Sequence, residues 1–455
     1  MRAGEIADAA KGKLISTGFD PEVSGASIDS RNIKRGEMFI ALRGENFDGH
    51  DFIDKAIEHG AVLVVTEKDL KDCSVPYILV EDSLKALQEI ARHYRSKFHI
   101  PFVAVTGSSG KTTTKDMLAS VLSQKFNVLK TEGNLNNAIG LPLMLLRLKH
   151  SHEIAVLEMG MNGLGEIRLL ADITRHHVAI ISNVGTAHIE YLGSRENILK
   201  AKLEIFTYFN KDSIAVINGD NDMLAGFDSD KFGILRYGLE DSNDIIASGI
   251  SEKGEEGIDF TVDICGVKEG FTVPIPGVHN VYNALSAISV ARLFGLKPEE
   301  IRKGLISFKP SKNRMDIINT SGGIRIINDV YNANPDSMRA AMNVLQSFGN
   351  AGRKVLLTAD MLELGEASGV EHYRIGEYAA ELGIDVIASV GNFSRDVIKG
   401  AEAAGVEVGN LYAFAAKEEA APKILEILKP GDTVLIKGSR GMKMEYVVEY
   451  LRERG

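Results

Sequence analysis

The chain has 455 residues, too many for one compact core, because domains cluster near ~100–200 residues; about three are expected. Its 52 Lys and Arg against 62 Asp and Glu give a formal net charge of −10, the reverse of the basic footprint a nucleic-acid binder needs. With 44% hydrophobic and 25% charged residues, the mixture is that of an ordinary globular protein and excludes a disordered or fibrous one.

In chain order, the first residues, Met1 to Asp8, lack the apolar core of a signal peptide. Short strands are expected at 38–42, 62–66 and 77–80, with a helix over 83–98 and a Gly-rich turn at 44–50. At 102–105 the pattern is a buried parallel strand, followed by a Gly/Ser turn and a helix over 112–126. Further apolar strands at 154–157, 178–182 and 214–217 alternate with helices, the mark of an α/β sheet with crossover helices. Residues 245–273 alternate like hairpin strands, a helix resumes over 278–294, and 309–312 looks like a linker. Strands at 354–358, 386–390 and 433–437 and helices at 373–382 and 442–452 complete the chain.

The expected fold class is α/β in three domains. Residues 1–100 form a small mixed α/β domain, 101–312 a central P-loop ATPase-type parallel sheet, and 313–455 a Rossmann-like domain. Cys73 and Cys265, far apart, suit free thiols of a reducing compartment better than a disulfide or a metal knuckle. No window approaches the ~20 apolar residues of a membrane span, so a cytoplasmic location without membrane insertion is expected.

The sharpest motif lies between the strand at 102–105 and the helix after it: Thr106, Gly107, Ser108, Ser109, Gly110, Lys111, Thr112 and Thr113. Glycines let the backbone curl so that its N–H groups face a phosphate, and the helix N-terminus adds positive potential. Lys111 then reaches the β- and γ-phosphates, and the Thr112 hydroxyl suits Mg²⁺. The strict pattern asks for Gly where Val105 stands, and Gly-Lys-Thr alone also marks plain turns. With a strand before it and a helix after it, the motif reads as a nucleoside-triphosphate site.

Glu158 leaves an apolar strand at its C-terminal end, where open α/β sheets place ligands, and is a candidate for hydrated Mg²⁺. His188 leaves another strand in the same sense; alone it reads as a loop histidine. Within a helix expected over 194–209, Lys200 is flanked by Glu196 and Glu204 at four residues and belongs to a solvated face. Lys202 is flanked by Ile198, Leu199, Ile205 and Phe206, so its face is the apolar one. It is either a snorkelling stem with its ammonium in water, or a desolvated amine that is neutral and nucleophilic.

Taken together these residues resemble the Mur ligase family, ATP-dependent enzymes that add amino acids to the nucleotide-linked precursor of the bacterial cell wall. The family's loop variant, Thr-Gly-x-x-Gly-Lys-Thr/Ser, does not need Gly at 105. The segments carrying the resemblance are 131–140, 158–162 (Glu-Met-Gly-Met-Asn), 329–338 (Asp-Val-Tyr-Asn-Ala-Asn-Pro-Asp-Ser-Met) and 359–365; it runs from Asp29 to Gly441. The Asp-Asn-Pro-Arg motif of the diaminopimelate-adding branch is absent.

The resemblance implies ATP and two Mg²⁺ ions as cofactors, with UDP-MurNAc-tripeptide and D-Ala-D-Ala as substrates. It implies a carbamate on Lys202 made from CO₂, a second metal shared by Glu158 and His188, and a first metal on Thr112. Asn280, Asn283, Asp329 and Tyr331 would border the nucleotide, and Arg314 would approach the γ-phosphate from the third domain. Lys111, Lys202, His188 and Arg314 are thus the expected catalytic group. Asp29, Ser30, Arg31 and Asn46 would bind the uridine end, Asn134, Asn136 and Asn137 the muramoyl-peptide, and Ser439 and Arg440 the incoming dipeptide. A monomer is expected. The rival readings are a sister ligase, such as one that extends folate with glutamate, and, in a different class, a P-loop switch whose hydrolysis drives a partner.

Overall fold

A computed structural model describes residues 1–16, 18–44, 47–264, 266–349 and 352–455; Asn46 and Cys265 lie outside the described residues. Three sheets follow one another along the chain. The first contains β1 (Lys13–Ile15), β2 (Gly25–Ser27), β3 (Glu37–Ile40), β4 (Leu63–Thr66) and β5 (Tyr77–Leu79), in the order β1-β5-β4-β3-β2. Only the β1–β5 pair is antiparallel.

The central sheet holds β6 (Phe102–Thr106), β7 (Val128–Lys130), β8 (Ile154–Glu158), β9 (Val178–Ile181) and β10 (Ile214–Asn218). It continues through β11 (Gly233–Gly238), β12 (Ile245–Glu252), β13 (Ile258–Ile264) and β14 (Val267–Val273). The order β14-β13-β12-β11-β10-β9-β6-β8-β7 puts β6 between β8 and β9, so the chain reverses direction across the sheet at β6. Ligands of open α/β sheets bind in the crevice at such a reversal, beyond the strands' C-terminal ends. All pairs from β7 to β12 are parallel, and β12, β13 and β14 add antiparallel strands, in keeping with the period-two alternation of 245–273.

The third sheet, β15 (Asp316–Asn319), β16 (Arg325–Asp329), β17 (Lys354–Ala359), β18 (Val386–Val390), β19 (Leu411–Phe414) and β20 (Thr433–Lys437), runs β15-β16-β20-β17-β18-β19. It is parallel except at β15, with helices packed on both faces. Three successive α/β units agree with the expected fold class.

Several helix ends differ from expectation: Lys111–Leu122 stops short of 126, and Ser368–Glu381 begins before 373. The helix expected over 194–209 is Arg195–Leu203 followed by a 3₁₀ turn, Glu204–Phe206. Glu204 does not pair with Lys200. Its carboxylate accepts from Gly165 N at 2.8 Å and Arg168 N at 3.2 Å, at the N-terminus of the helix Glu166–Thr174, where free N–H groups favour an anion. The last helix starts at Glu445 rather than 442, because Arg440–Met442 forms a 3₁₀ turn and Lys443 has φ 52°.

The seams between sheets differ in chemistry. Helix Ser83–Ser96 of the first unit contributes Ile90 and Ala91 to a core shared with Leu141, Leu145 and Ile173 of the central unit, and Arg92 pairs with Asp172 at 2.5 Å. The apolar core is thus continuous across the two units. The third unit has its own cores, with Ile189 of the central unit packed against one of them, and meets the centre through polar contacts as well.

The linker between them is anchored by Ser311, whose Oγ donates to Asp116 Oδ2 at 2.5 Å. Asp116 is 4% exposed on the helix Lys111–Leu122; its Oδ1 lies 3.0 Å from Lys115 Nζ and accepts from Lys130 Nζ at 2.7 Å. Burial pushes its carboxyl up, but Lys115 and Lys130 outweigh that and hold it below the usual carboxylate value. Lys115, 2% exposed, has one other acceptor, Thr131 O at 2.8 Å. Asp116→Ala should therefore lower unfolding free energy by about 3–5 kcal/mol, the cost of leaving a buried charge unpaired. An unchanged urea midpoint would contradict this.

Candidate active site

Helix Lys111–Leu122 begins directly after the turn, with Gly110 at φ 76° as its N-cap. A Cβ there would stand 2.7 Å from Asn283 Oδ1, so both the backbone angle and the close neighbour require glycine. The loop is stitched to the segment after β9. Ser108 N donates to Asn183 O at 3.0 Å, Ser109 N to Asn183 Oδ1 at 2.9 Å, and Gly185 N to Ser108 Oγ at 2.9 Å. Two loop N–H groups are thereby spent on Asn183, while those of Lys111, Thr112 and Thr113 stand in the helix's first turn without intrahelical partners.

Lys111 Nζ donates to Gly107 O at 2.7 Å. Burial pulls its ammonium below the usual lysine value; Glu158 and Glu363 oppose that, and Arg314 adds to it. Thr106 is fully buried and donates its hydroxyl to Met159 O at 2.8 Å. Thr106 and Gly107 thus shape the loop from beneath, whereas Ser108 to Thr113 line a cleft of about 460 Å³ between the central and third units.

Glu158 emerges from β8 into this cleft, 2% exposed. Its Oε1 accepts from Asn136 Nδ2 at 2.7 Å, and its Oε2 is buried without a donor. An unpartnered buried carboxylate oxygen is costly, and its position suits a cation. From the third unit, Arg314 Nη2 donates to Thr112 Oγ1 at 3.0 Å, with its guanidinium 4.0 Å over the Tyr331 ring. Asn313 and Met315, on either side, have φ 65° and 52°, strained values for side-chain-bearing residues.

His188 also lines the cleft; its Nδ1 lies 2.7 Å from Glu363 Oε2 of the third unit. Contact with His188 holds the Glu363 carboxyl below its usual value against burial. Both residues sit at positive φ, 64° and 66°. Strain on both sides of one cross-unit contact is typical of functional seams.

On helix Arg195–Leu203, Lys200 is exposed and Lys202 is 1% exposed, as the periodicity requires. Burial, and then the charge of Lys111, drive Lys202 well below the usual lysine range. Lys202 is not part of the cleft lining, but it stands near enough to feel Lys111.

Asn280, Asn283, Asp329, Tyr331, Asn136 and Asn137 all border the same cleft. The two helix asparagines are engaged inward: Asn283 Oδ1 accepts from Thr114 Oγ1 at 3.0 Å, Asn283 Nδ2 donates to Asn280 Oδ1 at 3.0 Å, and Asn280 Nδ2 to Pro276 O at 2.7 Å. Asn137 Oδ1 accepts from Gly140 N at 2.9 Å at the start of helix Gly140–Leu145. Asn134 is exposed and outside the lining.

Asp29, Ser30 and Arg31 form a turn in the first unit, apart from this cleft. Arg31 bonds Asp29 through Nε at 2.9 Å and Nη2 at 2.8 Å, which pulls the Asp29 carboxyl down to about 2. Ser439 is not on the cleft surface. Its hydroxyl accepts from Leu362 N at 2.8 Å and it is 3% exposed, so it ties the strand-to-helix turn together. Arg440 pairs with Glu445 and lies 5.6 Å over Tyr331, largely in solvent.

Two cleft residues, Lys437 and Asp336, and Glu363 beside the cleft escaped the sequence reading. Lys437 closes β20, pairs with Asp329 Oδ2 and donates to Asn332 O at 2.9 Å; its position at a strand's C-terminal end was the available signal. Glu363 and Asp336 lie in segments that carry the family resemblance, but what each meets across the seam, His188 and Gly185, no local pattern records.

The arrangement defines the class: a P-loop α/β protein whose phosphate loop is covered by a second α/β unit. Family models described as "Mur ligase family, catalytic domain", "Mur ligase middle domain" and "Mur ligase, glutamate ligase domain" match residues 22–95, 105–291 and 313–440. UDP-N-acetylmuramoyl-tripeptide–D-alanyl-D-alanine ligase of Bacillus subtilis (strain 168) is 39% identical over 451 residues, covering 98% of this chain and 97% of its own. Among solved structures, MurF from Acinetobacter baumannii superposes with a TM-score of 0.90 at 33% identity, covering 99% of this chain and 98% of its own. MurF ligase from Thermotoga maritima, in complex with ADP, gives 0.84 at 29% identity over 94% and 97%. The chain belongs to the Mur ligase family.

Proposed function

We propose that this chain joins D-alanyl-D-alanine to UDP-N-acetylmuramoyl-tripeptide with conversion of ATP to ADP and phosphate. The observation that carries this is the cross-unit contact of Arg314 with Thr112, which places a third-unit cation on the phosphate loop. Likeness along the whole chain to relatives bearing that activity in their name supports the choice of substrates. Residues 1–100 take the uridine end through the Asp29–Arg31 turn, 101–312 hold ATP, and 313–455 bring the dipeptide.

The terminal carboxylate of the tripeptide attacks the γ-phosphate, giving an acyl phosphate and ADP. Two anions are forced together, and Lys111 and Arg314 neutralise the charge that develops. The amine of the dipeptide then attacks the activated carbonyl and phosphate leaves. Seating the third unit on the loop keeps water from the acyl phosphate.

Among the described residues no group of three or more His, Cys, Asp and Glu could by itself hold a metal, so divalent ions at this site draw on phosphate oxygens as well. The residues present fit Mg²⁺: Glu158 Oε2 has no donor, and the Thr112 hydroxyl stands at the loop. His188 Nδ1 lies 2.7 Å from Glu363 Oε2 without hydrogen-bond geometry, and its Nε2 would be the ring nitrogen offered to a metal. Bound there, Mg²⁺ supplies charge neutralisation on the β- and γ-phosphates. Lys202 fits a carbamate: a buried amine held neutral adds CO₂ and loses a proton, and the resulting anion answers the charge of Lys111.

The direct test is ADP release with each substrate omitted in turn. Release should require both the uridine-linked tripeptide and D-Ala-D-Ala; hydrolysis with neither would favour a P-loop switch, and acceptance of glutamate with a folate would favour the sister ligase.

A further inference from the structure

The guanidinium of Arg314 has few side-chain restraints. Its Nη2 donates to Thr112 Oγ1 at 3.0 Å and its plane lies 4.0 Å over Tyr331, but its Nε is buried without a partner among the described residues. The direction in which it points is therefore set largely by the chain on either side of it.

Asn313 and Met315 are both buried and both have positive φ, 65° and 52°. Left-handed backbone is disfavoured for residues that carry a side chain, and asparagine tolerates it better than most. Each of the two is rooted in the third unit. Met315 joins the core that holds Ile327 and Met338. Asn313 Oδ1 accepts from Asn328 Nδ2 of β16 at 3.1 Å, and Asn313 O accepts from Tyr331 N at 3.2 Å. One residue thus fastens both the chain before Arg314 and the segment whose ring lies beneath it. Two positions earlier, Ser311 is still tied to the central unit through Asp116. The chain passes from one unit to the other within residues 311–313, immediately before the arginine.

We propose that Asn313 is the positioning residue for Arg314: its left-handed backbone turns the chain so that the guanidinium faces the phosphate loop. The proposal rests on the ligase reading and adds to it the device that aims the phosphoryl-stabilising cation. Asn313 does not itself line the cleft, so its effect on the chemistry passes through Arg314. The bond from Asn328 steadies the turn, and the backbone angle gives the direction.

Asn313→Ala and Asn313→Gly lose the same amide and differ by one methyl group, the group that strains a positive φ. Asn313→Ala should lower turnover about 10- to 100-fold, the range for ~1 Å of misplacement at a reacting centre, with affinity for a fluorescent ATP analogue within about threefold of wild type. Asn313→Gly, free to adopt the angle, should keep turnover within about threefold of wild type. In an Arg314→Ala background, Asn313→Ala should cost at most about twofold more, because the group it aims is gone. Full turnover in Asn313→Ala, or Asn313→Gly as slow as Asn313→Ala, overturns the proposal. So does an Asn313→Ala loss that persists undiminished beside Arg314→Ala, which would show that the residue only braces the third unit. Wild-type protein that releases no ADP with ATP, UDP-MurNAc-tripeptide and D-Ala-D-Ala all present overturns the ligase reading itself, and with it the proposal.

Discussion

Lys202→Ala should lower ligase turnover on the order of 10²–10³-fold, the usual loss when a preorganised electrostatic group leaves an active site. The side chain is 1% exposed, and its amine is driven toward neutrality by burial and by Lys111. Added short-chain carboxylates should restore part of the activity by supplying the missing anion in trans. Lys200→Ala, two residues away on the solvated face, should change stability by no more than about 0.5 kcal/mol and leave turnover near wild type. Lys202→Met separates chemistry from folding. An apolar chain of similar length replaces a buried amine, so the thermal midpoint should hold or rise while activity is lost. Steady-state rates beside melting curves for the three variants check this; Lys200→Ala proving the more damaging would refute the assignment.

Arg314→Ala should reduce turnover by about 10³-fold or more, the range for an arginine that stabilises a transferring phosphoryl group. Nucleotide affinity should fall far less, because Ser108–Thr113 and the first helical turn remain in place. Arg314→Lys should not rescue. A lysine cannot lie flat on Tyr331 and still present a fork to Thr112. Turnover measured alongside equilibrium binding of a fluorescent ATP analogue separates the two effects. Full activity in Arg314→Lys would show that the residue acts as a point charge and not as a plane.

The phosphate loop, the cleft-facing glutamate and the buried lysine were legible in sequence because each depends on local pattern. The loop needs glycine where φ is positive at Gly110, Glu158 needs only the end of an apolar strand, and Lys202 needs only helical periodicity. Strand positions were legible for the same reason, and the antiparallel extension at 245–273 announced itself by alternation. For Ser439 the local pattern says less: a Gly-rich turn after a strand looks the same whether its hydroxyl meets a ligand or a backbone N–H, and here the hydroxyl accepts from Leu362 N.

Local chemistry, then, determined that this chain has a triphosphate loop, a carboxylate at the end of β8 and one lysine turned inward, because helix and strand periods assign side chains to faces without reference to anything distant. Only the tertiary structure decided what stands opposite them. Arg314 reaches Thr112 across 202 residues of sequence, Glu363 meets His188, and Asp336 rests on Gly185. These contacts exist because a separately cored unit folds back over the loop, and which surfaces then meet depends on how whole units pack, which no local pattern records.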